Sequence, residues 1–116
     1  MPSPKQRFGT AAEQQAADFL LAKGMTLIDR HVTSRYGELD LLMHDGDTIV
    51  AVEVKARRTS TYGRAIESLT QNKLQKLADA LHDVLEKRGW SQQPYRIDVV
   101  TIEPSGIEHL AGVGPE

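Results

Sequence analysis

The spacing of apolar residues changes along the chain, and each change marks an element. Between Thr10 and Lys23, Ala16, Ala17, Phe19 and Leu20 form a stripe at helical spacing. Thr10-Ala11-Ala12-Glu13 has the form of an N-cap with an acid three residues on, and Gly24 suits the C-terminal cap. A helix is expected from Thr10 to about Lys23, preceded by a flexible lead over residues 1–8. "MTLIDRHV" reads as a short strand. "GELDLLMH" and "TIVAVEVKA" read as two more, joined at "DGD", a turn signal. "RRTSTYG" is a polar loop. From about Arg64 to Arg88, Ile66, Leu69, Leu74, Leu77, Leu81, Val84 and Leu85 recur at helical spacing, and Gly89 closes the longest helix. "YRIDVVTIE" is a strand, "IEHLAG" a last short one, and residues 112–116 a frayed tail. The order α-β-β-β-α-β predicts one α/β domain over residues 1–116, with a mixed sheet covered by helices.

Both central strands are apolar on both faces, as in a sheet covered on two sides. Yet they carry charge. By alternation, Glu38, Asp40 and Leu42 share one face of the first, and Leu39, Leu41 and Met43 the other. In the second, Ala51, Glu53 and Lys55 share a face. A buried charge is costly unless a cation, a hydrogen-bond network or a metal answers it. A two-residue loop at Asp45-Gly46 sets Asp40 diagonal to Glu53. A four-residue loop, Asp45 to Thr48, sets them directly opposite, and a three-residue loop without a bulge separates them onto opposite faces. Paired carboxylates beside a lysine suit phosphodiester hydrolysis. Hard oxygen ligands bind Mg²⁺, and Lys55 can position the attacking water or neutralise the phosphate. The competing reading is a set of ion pairs at the sheet edge, such as Glu53 with Arg57 or Asp40 with Lys55.

Composition narrows the setting. The chain has 116 residues, no cysteine and a formal net charge of −2. A disulfide framework and a thiolate metal site are excluded, and bulk charge does not suit coating of nucleic acid. No apolar run is long enough to span a membrane, the N-terminus lacks the apolar core of a signal peptide, and the cytoplasm is the expected setting. Charge is distributed unevenly. Between Lys55 and Lys76 six basic residues stand against one acid, Glu67, a local patch suited to gripping a polyanion.

"GELD", "VAVEVKAR", "YG", a long helix containing "TQNK" and a final "RIDVV", after the opening "FGTAAEQQAADFLLAKG", together resemble the YraN family of small bacterial proteins. The resemblance runs from about Gly9 to Val100. It implies kinship with archaeal Holliday junction resolvases and a restriction-endonuclease-like three-layer core, whose motif is Asp…(Asp/Glu)-x-Lys. Carried over, Asp40 and Glu53 are metal-binding acids, Lys55 is the catalytic lysine, Val54 offers its backbone carbonyl to the metal, and Glu13 completes the site from the first helix. Leu39 stands where the motif commonly has proline. The implied activity is a Mg²⁺- or Mn²⁺-dependent endonuclease on branched or structured DNA, acting as a homodimer. The alternatives are a nucleic-acid-binding module without turnover and a purely structural partner protein.

Arg57, Arg58, Arg64 and Lys73 are candidate phosphate contacts. Tyr36 and Tyr62 are candidates to stack on unpaired bases or to pack loop walls, and Gln71 to reach the site. His31, His44, His82 and His109 show no metal-ligand spacing. Trp90 and Tyr95 are expected in the core or a dimer contact, and Arg96 with Asp98 in a structural ion pair.

Overall fold

The computed structural model describes residues 1–59, 61 and 63–115. Helix α1 spans Pro4–Ala22, strands β1, β2 and β3 span Thr26–Ser34, Gly37–Asp45 and Thr48–Ala56, helix α2 spans Gln71–Lys87, and β4 and β5 span Tyr95–Glu103 and Gly106–Leu110. One sheet runs in the order β1-β2-β3-β4-β5. Among the described residues β3 and β4 pair in parallel, joined by the α2 crossover, and the other neighbours pair antiparallel. This is the expected α/β class: a five-stranded mixed sheet between helices, consistent with a three-layer nuclease-like core.

Helix α1 begins seven residues earlier than the Thr10 cap predicts. Ser3 caps it, accepting from the Gln6 N–H at 3.1 Å, while the Ser3 N–H donates to Gln6 Oε1 at 2.8 Å. Pro4 follows at the first helical position, where its missing N–H costs nothing. The residues expected as a flexible lead therefore build the first turn, and two competing capping boxes are resolved in favour of the one with proline behind it. Thr10 and Glu13 lie mid-helix, so Glu13 has no cap to serve.

The second helix also differs from expectation. Residues Ala65–Ser68 form a short 3₁₀ turn, and Leu69 is extended. Thr70 then caps α2, accepting from the Lys73 N–H at 3.2 Å. Threonine competes well for backbone donors at a cap and poorly mid-helix, which divides the apolar periodicity in two. At the far end, Val113 donates to the Ile97 carbonyl at 2.8 Å, so the segment expected to fray is tied to β4 there.

The sheet separates two cores. On one face, Ala16, Ala17 and Leu20 of α1 pack on Leu41, Met43, Val50, Val52 and Val100. On the other, α2 contributes Leu74, Leu77, Leu81, Val84 and Leu85 against Leu42, Ala51 and Ile97. Burying stripes of this kind contributes about 2 kcal/mol per large side chain before conformational costs. Alternation holds along most of β2 but fails at one step: Leu39 packs with the α2 core, although strict alternation sets it with Leu41 and Met43. The residue at which the face switches is Asp40.

Candidate active site

The hairpin between β2 and β3 brings the acids together. Asp45 pairs with Thr48, His44 with Ile49 and Leu41 with Val52. The turn is therefore Gly46-Asp47, two residues long, with Gly46 at φ +63°, the left-handed region that glycine enters freely. This register equals that of the four-residue option, closed by one more pair. It points Asp40 at Glu53 on the neighbouring strand. Leu41–Val52 is the last ladder pair. Beyond it the Asp40 side chain replaces the backbone as acceptor: the Val54 N–H donates to Asp40 Oδ2 at 2.9 Å. The central strands part here, and the carboxylate stands in the gap.

Glu53 is half-buried on β3, and its carboxyl is pushed from 4.5 up to about 8. Burial is the main cause, followed by the hydrogen bond and negative charge of Asp40; Lys55 and Lys73 oppose the rise. Glu53 therefore favours its protonated form around neutrality, because burial and the neighbouring Asp40 charge both disfavour a second carboxylate there. Glu53 opens onto a cavity of about 170 Å³ lined by Tyr36, Glu38, Lys73 and Lys76.

Asp40 also acts across to α1. Glu13, with its side chain 16% exposed, has a raised pKa, through burial first and the Asp40 charge second; His31 and Arg30 pull it down. His31 bridges two acids, with Nε2 3.1 Å from Glu13 Oε1 and Nδ1 2.7 Å from Glu38 Oε1. Its pKa is raised by the Glu38 hydrogen bond, against burial, with help from Glu13, and an imidazolium donating from both nitrogens fits both contacts. His31 holds φ +50°, a left-handed conformation rare outside glycine. Histidine spacing gave no sign of this role. The signal is structural: β1 has a bulge between Leu27 and Asp29, and His31 faces the parting at Asp40.

The remaining candidates divide. Lys55 and Lys73 lie close enough to Glu53 to act on its charge. Val54 is tied to Asp40 through its N–H. Arg57 donates its backbone N–H to the Ile102 carbonyl at 2.9 Å. Arg58 lies over the Phe8 ring, 4.4 Å from its centroid. Arg64 meets Glu108 at 3.4 Å and Glu103 at 3.9 Å, at the β4–β5 end. Gln71 opens α2. Tyr36 is 45% exposed, and Tyr62 lies outside the described residues. Trp90 packs on the α2 core as expected, whereas Tyr95 is 47% exposed, its hydroxyl 2.9 Å from His82 Nε2.

Arg96 and Asp98 do form an ion pair, Nε to Oδ1 at 2.9 Å, within a larger network. Asp98 is fully buried and also accepts from His109 at 2.7 Å and the Gly112 N–H at 3.0 Å. Burial pushes its carboxyl up, but the Arg96, His109 and Gly112 hydrogen bonds outweigh it and hold the carboxyl low.

Among the described residues, no three of His, Asp and Glu form a ready-made metal cage. Mg²⁺ does not require one. It is usually held by one or two carboxylates, with waters and substrate phosphate completing an octahedron. The hard oxygens of Asp40 and Glu53, short of positive charge, fit such an ion.

Fold and site define a three-layer α/β protein with an acidic pair where its central strands part. A model of the uncharacterised protein family UPF0102 matches residues 12–102, and the chain belongs to that family, as the resemblance to YraN proteins implies. It is 44% identical over 105 residues to a UPF0102 protein of Stutzerimonas stutzeri strain A1501, covering 90% of this chain and 88% of the relative. It is also 44% identical over 99 residues to UPF0102 protein STH1475 of Symbiobacterium thermophilum, covering 85% and 84%. A UPF0102 protein of Vibrio cholerae strain M66-2 is 39% identical over 104 residues, covering 88% and 84%. No helix among the described residues is long and apolar enough to cross a membrane.

Proposed function

We propose that the protein is a divalent-metal-dependent endonuclease acting on branched or otherwise structured DNA in the cytoplasm. One observation carries this reading: the Asp40–Glu53 pair, half-buried where β2 and β3 part, with the Glu53 carboxyl pushed up to about 8 and Lys55 and Lys73 close by. A purely structural pair gains nothing from two acids facing each other, since buried charge is tolerated when opposite charges meet. Asp40 and Glu53 would hold Mg²⁺ or Mn²⁺, with the Val54 carbonyl and Glu13 as further oxygen donors. When bound, the ion would polarise the scissile phosphate and acidify a water. Lys55 positions the attacking water and offsets charge on the phosphate. Lys73 and Lys76, lining the cavity at Glu53, hold the flanking backbone. Symmetric cutting of a four-way junction needs two sites, so a two-fold homodimer is part of this proposal.

The second reading is a nucleic-acid-binding module without turnover. The basic run between Lys55 and Lys76, which could grip a polyanion without any metal, supports it. The test is cleavage of labelled duplex, flap and four-way-junction DNA with Mg²⁺ or Mn²⁺, beside Glu53→Ala and Lys55→Ala. Metal-dependent cutting that both variants lose, with the fold intact, supports the nuclease. Cutting that survives both refutes these roles, and no cutting with undiminished binding supports the module.

A further inference from the structure

A groove of about 480 Å³ lies between the first turns of α1 and the chain leaving β3, lined by Pro4, Lys5, Phe8, Arg57, Arg58 and Thr59. Its charged side chains are all basic. Its floor is aromatic: Phe8, half-buried, carries the Arg58 guanidinium 4.4 Å above its ring centroid, and Arg58 Nη2 donates to the Pro4 carbonyl at 3.3 Å. Nothing in the core requires this. Among the described residues the ring belongs to neither core cluster, and Arg58 is exposed.

An aromatic face and a guanidinium plane are the two surfaces on which unpaired nucleobases stack, and lysine and arginine around them neutralise the backbone. A base inside a duplex hides its face against its neighbours, so the combination distinguishes single strands from double. We propose that this groove binds an unpaired nucleotide of the substrate, its base stacked on the Phe8–Arg58 pair and its phosphates on Lys5 and Arg57. The inference rests on nucleic acid being the partner, but not on cleavage. Phe8 precedes Glu13 by five residues on one helix, roughly 8 Å along its axis. Arg57 follows Glu53 by four residues, roughly 13 Å of extended strand. The groove therefore flanks the acidic pair at the distance of a neighbouring nucleotide or two, and it makes a single-stranded branch the feature that aligns the substrate.

The test is fluorescence anisotropy with a labelled thymidine oligonucleotide of about 12 nucleotides and a hairpin duplex, both with chelator so that neither metal nor cutting contributes. Phe8→Ala should weaken single-strand binding by about fivefold or more, the lower end of base–aromatic stacking, and leave duplex binding within about twofold. Phe8→Trp should restore or exceed the original affinity. Phe8→Leu keeps an apolar body in the helix but no π-face, and should behave as Phe8→Ala; it serves where the alanine variant melts early. Unchanged single-strand affinity in folded Phe8→Leu overturns the proposal, as does an equal loss on both probes. If the wild type cuts nothing yet these shifts appear, the nuclease reading fails and the groove stands. Cutting with no effect of Phe8 gives the reverse.

Discussion

Glu53→Gln should flatten the pH dependence of stability and make the protein more stable, not less, in mild alkali. The Glu53 carboxyl rises from 4.5 to about 8 on folding. A raised acid binds its proton more tightly in the native state than in the unfolded chain. Its contribution is therefore fully present below pH 4.5 and is lost as pH rises to about 8. The full difference corresponds to roughly 5 kcal/mol. The opposing lysine charges and the remaining access of solvent reduce the expected swing to about 2–3 kcal/mol. Glutamine mimics the protonated acid, can donate to Asp40 as it does, and cannot ionise. Thermal unfolding should therefore give similar Tm values for both proteins near pH 5. By pH 8 the variant should lead by roughly 6–10 °C for a domain of this size. His31, whose pKa is also raised, loses stability in the same direction, but it is present in both proteins and largely cancels in the difference. Parallel Tm–pH curves for wild type and variant would falsify the raised Glu53 carboxyl. Millimolar Mg²⁺ or Mn²⁺ at pH 8 should raise the wild-type Tm and leave that of Glu53→Gln where it was, because only an ion bound to the native state stabilises it.

Asp98→Ala leaves the Arg96 guanidinium, His109 and the Gly112 N–H without their buried acceptor, and should cost about 3 kcal/mol in chemical denaturation; a loss below about 1 kcal/mol refutes the network's weight. His31→Val puts a β-branched residue at φ +50° and should destabilise by about 1–2 kcal/mol more than His31→Asn, which tolerates that region; equal midpoints in urea count against strain there. Thr70→Ala should cost about 1 kcal/mol through loss of the α2 cap, whereas Thr10→Ala, mid-helix in α1, should be neutral or slightly stabilising; the opposite order would restore the cap that the sequence suggests at Thr10.

The layers of the fold were legible because their signals are local. Periodicity located both helices and every strand, and the two-sided apolar character of β2 and β3 announced a covered sheet. Boundaries failed where two local solutions compete. Ser3-Pro4 outranks Thr10 as a start, and Thr70 interrupts a periodicity that runs smoothly through it. Of the candidate site, the opposition of Asp40 and Glu53 followed from the turn once its length was fixed, but its length could not be read, since "DGD" serves two loop lengths equally. His31 was out of reach. Its role depends on a bulge in β1 and a left-handed backbone that no spacing encodes. Arg64 shows a different limit: its place in a basic run gave no sign of Glu103 and Glu108, the acids that β4 and β5 bring to meet it.

Departures from regular structure converge around Asp40. Side-chain alternation switches face there, the β2–β3 ladder ends one residue away, and the strand opposite carries the only left-handed non-glycine among the described residues. Two carboxylates meet inside the sheet instead of one carboxylate and one cation. Each feature costs stability, on the order of 1–3 kcal/mol for a strained residue alone. A chain that pairs its strands and satisfies its cores elsewhere had simple alternatives here: a leucine at position 40, or an arginine at 53. The buried acid on the next strand shows what such a repair looks like, since Asp98 has an arginine, a histidine and a backbone donor around it and its carboxyl stays low. Two acids of one domain, both in the sheet, thus have opposite surroundings. Asp98 is complete as it stands. At the Asp40–Glu53 pair the charges of Lys55 and Lys73 do not offset burial and the second acid, and Glu53 opens onto a cavity that Lys73 and Lys76 of α2 line. A site organised to receive a cation and a polyanion together has that shape.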